Sequence, residues 1–328
     1  MFKDQVNKVL QTAIRKRASD IYFLPREDHY SIKMNVVGTV ETISCIPSSY
    51  GLQIINYLKF KADMALSEHR RPQIGAFLLK DSQTKKVFGR FSSLGDFLGR
   101  ESLVVRLIYQ EKDANEKFFF PSQLKKLENL SQKKGLILFS GPVGSGKTST
   151  MYHLVRSLTD VQVMCIEDPV EIYEPNFLQI QVNEKANMSY AELVKASLRH
   201  RPDVFIIGEI RDAETAQIVV TAALSGHLVL STVHAQSTLG VVRRLLDFGV
   251  SKADLEQTLQ LIMYQRLIPT TVGNVKALFE QLSVEKLPWE KLENGGMTGM
   301  SVGWRESLEK CVQKNWISEE TYKKYSEG

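Results

Sequence analysis

Apolar residues Val6, Val9, Leu10, Ala13 and Ile14 recur at i, i+3, i+4, i+7 and i+8, the spacing of one buried face of an amphipathic helix. Arg15, Lys16 and Arg17 gather where that helix would end, as a helix dipole favours. Ile21 and Phe23, then Tyr30, Ile32, Met34 and Val36, alternate with polar residues as half-buried strands do, and Gly38 marks a turn. Residues 48–64 read as a second helix, and 76–79, 87–91 and 103–108 as further strands. The pattern predicts a small α+β domain over residues 1–108. A charged linker without periodicity follows over 109–120.

From residue 121 the rhythm changes. Apolar runs at 136–139, 161–166, 204–207 and 228–230 are separated by helix-length stretches, the signature of a mostly parallel sheet with helices on both faces. That predicts an α/β domain over 121–282. Beyond it the sequence turns polar, and 283–328 read as a small helical region with a helix at 305–314.

Composition narrows the class. The chain has 328 residues, 43% hydrophobic and 24% charged, which accommodates two cored domains and excludes disorder, collagen and a disulfide scaffold. Lys and Arg number 42 against 37 Asp and Glu, a net charge of +5, which permits a nucleic-acid partner without implying one. Cys45, Cys165 and Cys311 lie far apart, so no zinc spacing and no disulfide framework exist and a reducing cytosol fits. No signal peptide and no run near the ~18 apolar residues of a membrane span are found, so a cytoplasmic protein is expected.

The chemistry begins at residue 141. A strand runs into Gly141-Pro142-Val143-Gly144-Ser145-Gly146-Lys147-Thr148, followed by a helix-forming stretch, the G-x-x-x-x-G-K-[ST] P-loop in its proper setting. Such a loop turns backbone N–H groups around phosphates, places Lys147 against the β and γ phosphates and offers the Thr148 hydroxyl to Mg²⁺. The strand at 161–166 ends in Glu167-Asp168-Pro169-Val170-Glu171, and the one at 204–207 in Gly208-Glu209. Both deliver carboxylates to the sheet edge where doubly wound folds gather ligands. Acids there orient water or hold Mg²⁺, although Asp and Pro also build ordinary turns. His227 and His234 flank the strand at 228–232, and both could face a γ phosphate or simply pack.

Four segments together resemble the secretion ATPase family that powers type II secretion and type IV pilus assembly: the P-loop, the run 166–171 as its Asp box, 201–212 as its Walker B region and 223–234 as its His box. The first domain is similar too, through Ala18-Ser19-Asp20-Ile21, Arg71-Pro72-Gln73, Arg90-Phe91-Ser92 and Val104-Val105-Arg106. The resemblance implies a RecA-like P-loop NTPase domain preceded by a smaller PAS-like α+β domain. It implies that Lys147 and Thr148 bind ATP and Mg²⁺, that Glu167 prepares the attacking water and that Glu209 supports the metal through water. His234 would contact the γ phosphate, with His227, Glu171 and Arg211 as further candidates. Arg90 and Arg106, otherwise solvated strand charges, would neutralise charge on the transferred phosphoryl group when the domains close. Family members are hexameric rings working beneath a polytopic membrane platform protein on pilin-like subunits, at the inner face of the cell membrane.

The four-cysteine zinc motif of many members is missing, so no zinc is expected, and so is the extra N-terminal docking domain. In this the chain looks most like the Gram-positive competence ATPase that assembles a DNA-uptake pseudopilus. Within the family, a pilus retraction motor or a type II secretion ATPase is the alternative. Outside it, a DNA translocase or ring helicase would need basic stripes interleaved with stacking aromatics. The pairs Lys125-Lys126, Lys133-Lys134 and Arg243-Arg244 are isolated, so no direct nucleic-acid binding is expected. A nucleotide-gated scaffold without turnover is disfavoured because every hydrolytic residue type is present.

Overall fold

Helix α1 (Phe2–Arg15) buries Val6, Leu10, Ala13 and Ile14, with Val9 packed beside them. The computed structural model describes residues 2–36, 39–80, 86–109, 118–183, 186–293 and 299–328, and the chain divides into two units, Met1–Glu111 and Lys112–Gly328. The Gly38 turn and residues 110–117 of the expected linker lie outside the described residues.

In the first unit, β1 (Asp20–Pro25), β2 (His29–Val36), β3 (Thr39–Pro47), β4 (Gln73–Lys80), β5 (Lys86–Gly95) and β6 (Glu101–Tyr109) form one antiparallel sheet in the order β3-β2-β1-β6-β5-β4. Helix α2 (Ser48–Lys61) connects β3 to β4 and buries Ile54, Ile55 and Leu58 in the same core as α1. The sequence pattern does not predict β3. It is an edge strand, half exposed along its length, so no apolar face imprints a period on it.

The second unit carries α3 (Pro121–Ser131), β7 (Gly135–Ser140), α4 (Lys147–Arg156), β8 (Val163–Glu167), β9 (Leu178–Gln181), α5 (Tyr190–Leu198), β10 (Val204–Ile210), α6 (Ala213–Leu224), β11 (Leu228–Val233), α7 (Thr238–Asp247), α8 (Lys252–Thr258), β12 (Leu259–Pro269) and β13 (Val275–Ser283). The sheet order is β13-β12-β7-β11-β10-β8-β9, parallel throughout except for the β12–β13 hairpin. Every residue of β7, β8 and β11 is buried, because helices cover both faces: α3 and α4 on one, α5 to α8 on the other. That double cover is why these strands read as continuous apolar runs rather than as alternation.

Strands β12 and β13 escape the sequence pattern. No turn residue separates α8 from β12, which begins at the next residue. The final helices, α9 (Trp289–Glu293), α10 (Val302–Gln313) and α11 (Glu319–Tyr325), follow. Trp304, Leu308, Cys311 and Ile317 pack on Tyr264, Ile268 and Leu278 of that hairpin, so the helical end shares a core with the sheet.

Candidate nucleotide-binding site

The chain leaves β7 for β8, three places along the sheet, and later leaves β11 for β12 on the other side of β7. Such a reversal opens a crevice outside the carboxyl ends of the strands, and the P-loop fills it between β7 and α4. Gly141 has φ 136°, and a Cβ there would come within 2.3 Å of the Gln265 carbonyl of β12. The loop therefore crosses a strand where only glycine fits. Gly146, at φ 83°, is the left-handed residue from which α4 starts. Buried Gln265 donates its Nε2 to the Ser145 carbonyl at 2.6 Å and fixes the loop against β12. Nothing local along the chain singles it out, since its partner is 120 residues away.

The amino end of α4 presents unpaired N–H groups and the positive end of a helix dipole, an anion site by construction. Lys147 Nζ donates to the carbonyls of Gly141 and Pro142 at 3.0 Å each. Burial pulls its pKa down, opposed by the charges of Glu171 and Glu209. Val143 and Gly144 at the crest of the loop are exposed, and Thr148 is half-buried in the first turn of the helix.

The two glutamates of the 167–171 run part company. Glu167, at the end of β8, is 3% exposed and accepts a hydrogen bond from the Tyr152 hydroxyl at 2.6 Å. Burial pushes its pKa up to about 7, against that hydrogen bond. The carboxylate expected to meet a water is thus enclosed between α4 and β8. Glu171 instead stands at the P-loop, its Oε2 accepting from the Thr148 hydroxyl at 2.9 Å.

Glu209, on the β10 segment beyond a register shift against β11, joins three strand ends. His234 Nε2 lies 3.2 Å from its Oε2, Arg211 Nη2 bonds its Oε1, and Arg211 Nη1 reaches Asp168 Oδ2 at 3.4 Å. Burial opposes its charge, yet Arg211 and His234 together hold its pKa below the usual carboxylate range. Ser140 Oγ donates to the Ala235 carbonyl and accepts from the Ala235 N–H, which fastens the segment after His234 to the end of β7. A cleft of about 830 Å³ opens here between Gly141, Pro142, His234, Gln236, Arg243 and Arg266.

His227 is not in this assembly. It precedes β11, whose six residues separate it from His234 by about 20 Å at the usual strand rise. Its Nδ1 bonds the Pro202 carbonyl at 2.7 Å and its ring packs edge-on to Phe205. The expectation that both histidines could face a γ phosphate is corrected here: a parallel strand sends its two ends to opposite edges of the sheet. Arg90 and Arg106 belong to the other unit, where they sit directly opposite each other on β5 and β6. Arg106 Nε donates to Asp20 Oδ1 at 2.9 Å.

The Thr148 hydroxyl and the Glu209 carboxylate are oxygen donors, which suits Mg²⁺. Among the described residues no group of three or more His, Cys, Asp and Glu could hold a metal alone. A cation at this place would share its coordination with phosphate oxygens, as Mg²⁺ does in nucleotide sites.

Fold and site together define a P-loop ATPase. Residues 1–313 match the family described as Type II/IV secretion system protein, and the chain belongs to that family. It is 43% identical over 274 residues to the competence protein ComGA of Streptococcus pneumoniae, covering 82% of this chain and 85% of that protein. It is 38% identical over 275 residues to ComGA of Bacillus subtilis, covering 81% and 77%. The pilus retraction motor PilT, solved with bound ADP, shares the fold with a TM-score of 0.76 at 23% identity, over 96% of this chain and 95% of that one.

Proposed function

We propose that this ATPase drives assembly of a type IV pilus-like competence pseudopilus for DNA uptake. The observation that carries the reading is the 43% identity to a competence protein, which spans both units. In this reading six copies form a ring at the cytoplasmic face of the membrane, bound to a polytopic platform protein that passes the motion to pilin-like subunits. No helix among the described residues is long and apolar enough to cross a membrane, in keeping with work done through a partner.

The chemistry is attack of water on the γ phosphorus of ATP, cleavage of its bond to the β–γ bridging oxygen, and release of ADP and phosphate. The P-loop amides and the start of α4 receive the phosphates. Lys147 exchanges the carbonyls of Gly141 and Pro142 for the β and γ oxygens. Mg²⁺, held through Thr148 and, by way of water, Glu209, would neutralise phosphate charge. Glu171 orients the water and accepts its proton; we give it this role in place of Glu167 because its carboxylate reaches Thr148 while that of Glu167 is enclosed. His234 contacts the γ phosphate and is held for it by Glu209. Arg90 and Arg106 stabilise the charge of the transferred group when the first unit, which we read as PAS-like, closes on the RecA-like second. Arginines used this way contribute about 10³ to 10⁵ in rate.

The test is a chromosomal Lys147→Ala substitution in a naturally transformable host. Pilin-like filaments should vanish from the sheared surface fraction and transformants should fall to background. Normal filaments and normal transformation would overturn the assignment.

A further inference from the structure

Thr148, Tyr152 and Arg156 follow one another at i, i+4 and i+8 along α4, so they share one face of the helix. All three hold the end of β8 or the chain segment that follows it. Thr148 donates to Glu171 at 2.9 Å, Tyr152 donates to Glu167 at 2.6 Å, and Arg156 Nε lies 2.5 Å from Glu174 Oε2. Gln179, opposite Cys165 on β9, completes the middle contact. Its Nε2 donates to the Tyr152 hydroxyl at 2.7 Å and to the Ile172 carbonyl at 2.6 Å, and its Oε1 accepts from the Glu174 N–H at 2.9 Å. The residue just after Glu171 is therefore tied, through Gln179, to the same hydroxyl that is tied to Glu167.

From this geometry we infer that Tyr152 is a positioning residue for hydrolysis: with Gln179 it fixes the spacing between the P-loop helix and the 167–174 segment, and so the place of Glu171 beside Thr148. The inference rests on the reading of Glu171 as the group that handles the water. Tyr152 and Glu167 are both buried, where a satisfied hydrogen-bond network is stiff and a half-satisfied one is costly. Removing one hydroxyl leaves the Glu167 carboxylate and the Gln179 amide each short of a partner and frees the backbone that follows Glu171. A displacement of about 1 Å at a reacting group costs up to about a hundredfold in rate. Phosphate binding by the P-loop, by contrast, depends on Gly141 to Thr148, while the Tyr152 hydroxyl bonds Glu167 and Gln179.

The experiment is a kinetic cycle on the full-length protein with Tyr152→Phe, Glu171→Gln and the double variant, measuring kcat for ATP and, separately, nucleotide affinity. Tyr152→Phe should lower kcat roughly tenfold with affinity within twofold of the parent, and should have no further effect once Glu171→Gln is present. Coupling of this kind is what residues acting through one group show. A parental kcat for Tyr152→Phe overturns the inference. So does the same fold-loss in the Glu171→Gln background, or affinity falling in step with kcat, either of which would mark a general packing defect. Glu167→Gln separates the two readings, because its side-chain carbonyl still accepts from Tyr152. It should lose several-fold less activity than Glu171→Gln, and a loss as large as that of Glu171→Gln returns the water to Glu167. Parental turnover by Glu171→Gln itself would strike down the base reading directly, a result that the Tyr152→Phe rate does not mimic.

Discussion

The two edges of the parallel sheet are built from the same residue types and differ in how those residues are tied. At the amino edge the polar side chains bond mainly to main chain. His227 meets the Pro202 carbonyl, Asp203 meets the Gln162 N–H and, at 3.9 Å, Lys134, and Gln260 bonds the Lys134 carbonyl. At the carboxyl edge side chains from separate elements bond one another: Thr148 with Glu171, and His234 with Glu209, Arg211 and Asp168 in turn. The first arrangement seals loops. The second gathers charge around the amino end of a helix, where an anion is favoured. A histidine or an aspartate therefore takes its meaning from the edge to which its strand delivers it.

The sharpest way to break this contrast is a pair of acid-to-amide substitutions. Glu171→Gln removes a group placed to take a proton, and general bases contribute about 10² to 10⁴ in rate. A kcat drop of that size is expected, with the protein still folded. Asp203→Asn alters a half-exposed acid whose amide analogue can still accept from Gln162, so kcat should stay within about twofold and stability should change by no more than about 1 kcal/mol. Steady-state hydrolysis and a melting curve on each protein decide the matter. Equal losses of rate would mean that the edge does not sort chemistry from structure.

Much of the carboxyl edge was legible in the sequence, because P-loop chemistry is local. The glycines, Lys147 and Thr148 lie within eight residues, and the strand before them is an unbroken apolar run. Strands β7, β8, β10 and β11 were legible for the same reason. What sequence could not supply is which of two nearby carboxylates faces the phosphates. Glu167 and Glu171 are separated by a short turn containing a cis Asp168–Pro169 bond, and their directions are set by Tyr152 and Thr148 on another element. Gln265 and Gln179 were equally invisible, since each shares its strand with a second glutamine, Gln260 or Gln181, and nothing local tells the two apart. His227 stayed open between the phosphate and simple packing because two histidines seven residues apart look equivalent until the strand between them is given a direction.

The histidines offer a smaller and more symmetrical test. His234→Ala deletes a partner of Glu209 at the phosphate edge and should lower kcat about tenfold, in the range of a single lost charge-assisted hydrogen bond, while leaving the melting temperature near that of the parent. His227→Ala deletes a bond to Pro202 and an aromatic edge contact, so it should cost about 1 kcal/mol of stability and leave kcat within twofold. The expected outcome is a crossover, each variant damaging what the other spares. A parental kcat for His234→Ala, or a large rate loss for His227→Ala, would undo it.

The last test concerns Glu167, which lies between these extremes: on the chemical edge, yet buried like a core residue. Its pKa rises from 4.5 unfolded to about 7 folded, chiefly through burial. Between those two values the folded protein holds a proton that the unfolded chain has released. Stability must therefore fall as pH increases through that window, by at most about 1.4 kcal/mol per pH unit, and level off above it. Glu167→Gln has no proton to lose and escapes the decline. Its melting temperature, compared with the parent, should be higher at pH 8 than at pH 5 by several degrees, since about 2–4 °C corresponds to 1 kcal/mol in a unit of this size. The difference should be read between the two pH values, because any fixed cost of the amide cancels there. If that difference is the same at pH 5 and pH 8, the carboxyl is not held against ionisation by its burial. Glu167 would then have access to water after all and stand again as a rival to Glu171 for the attacking molecule.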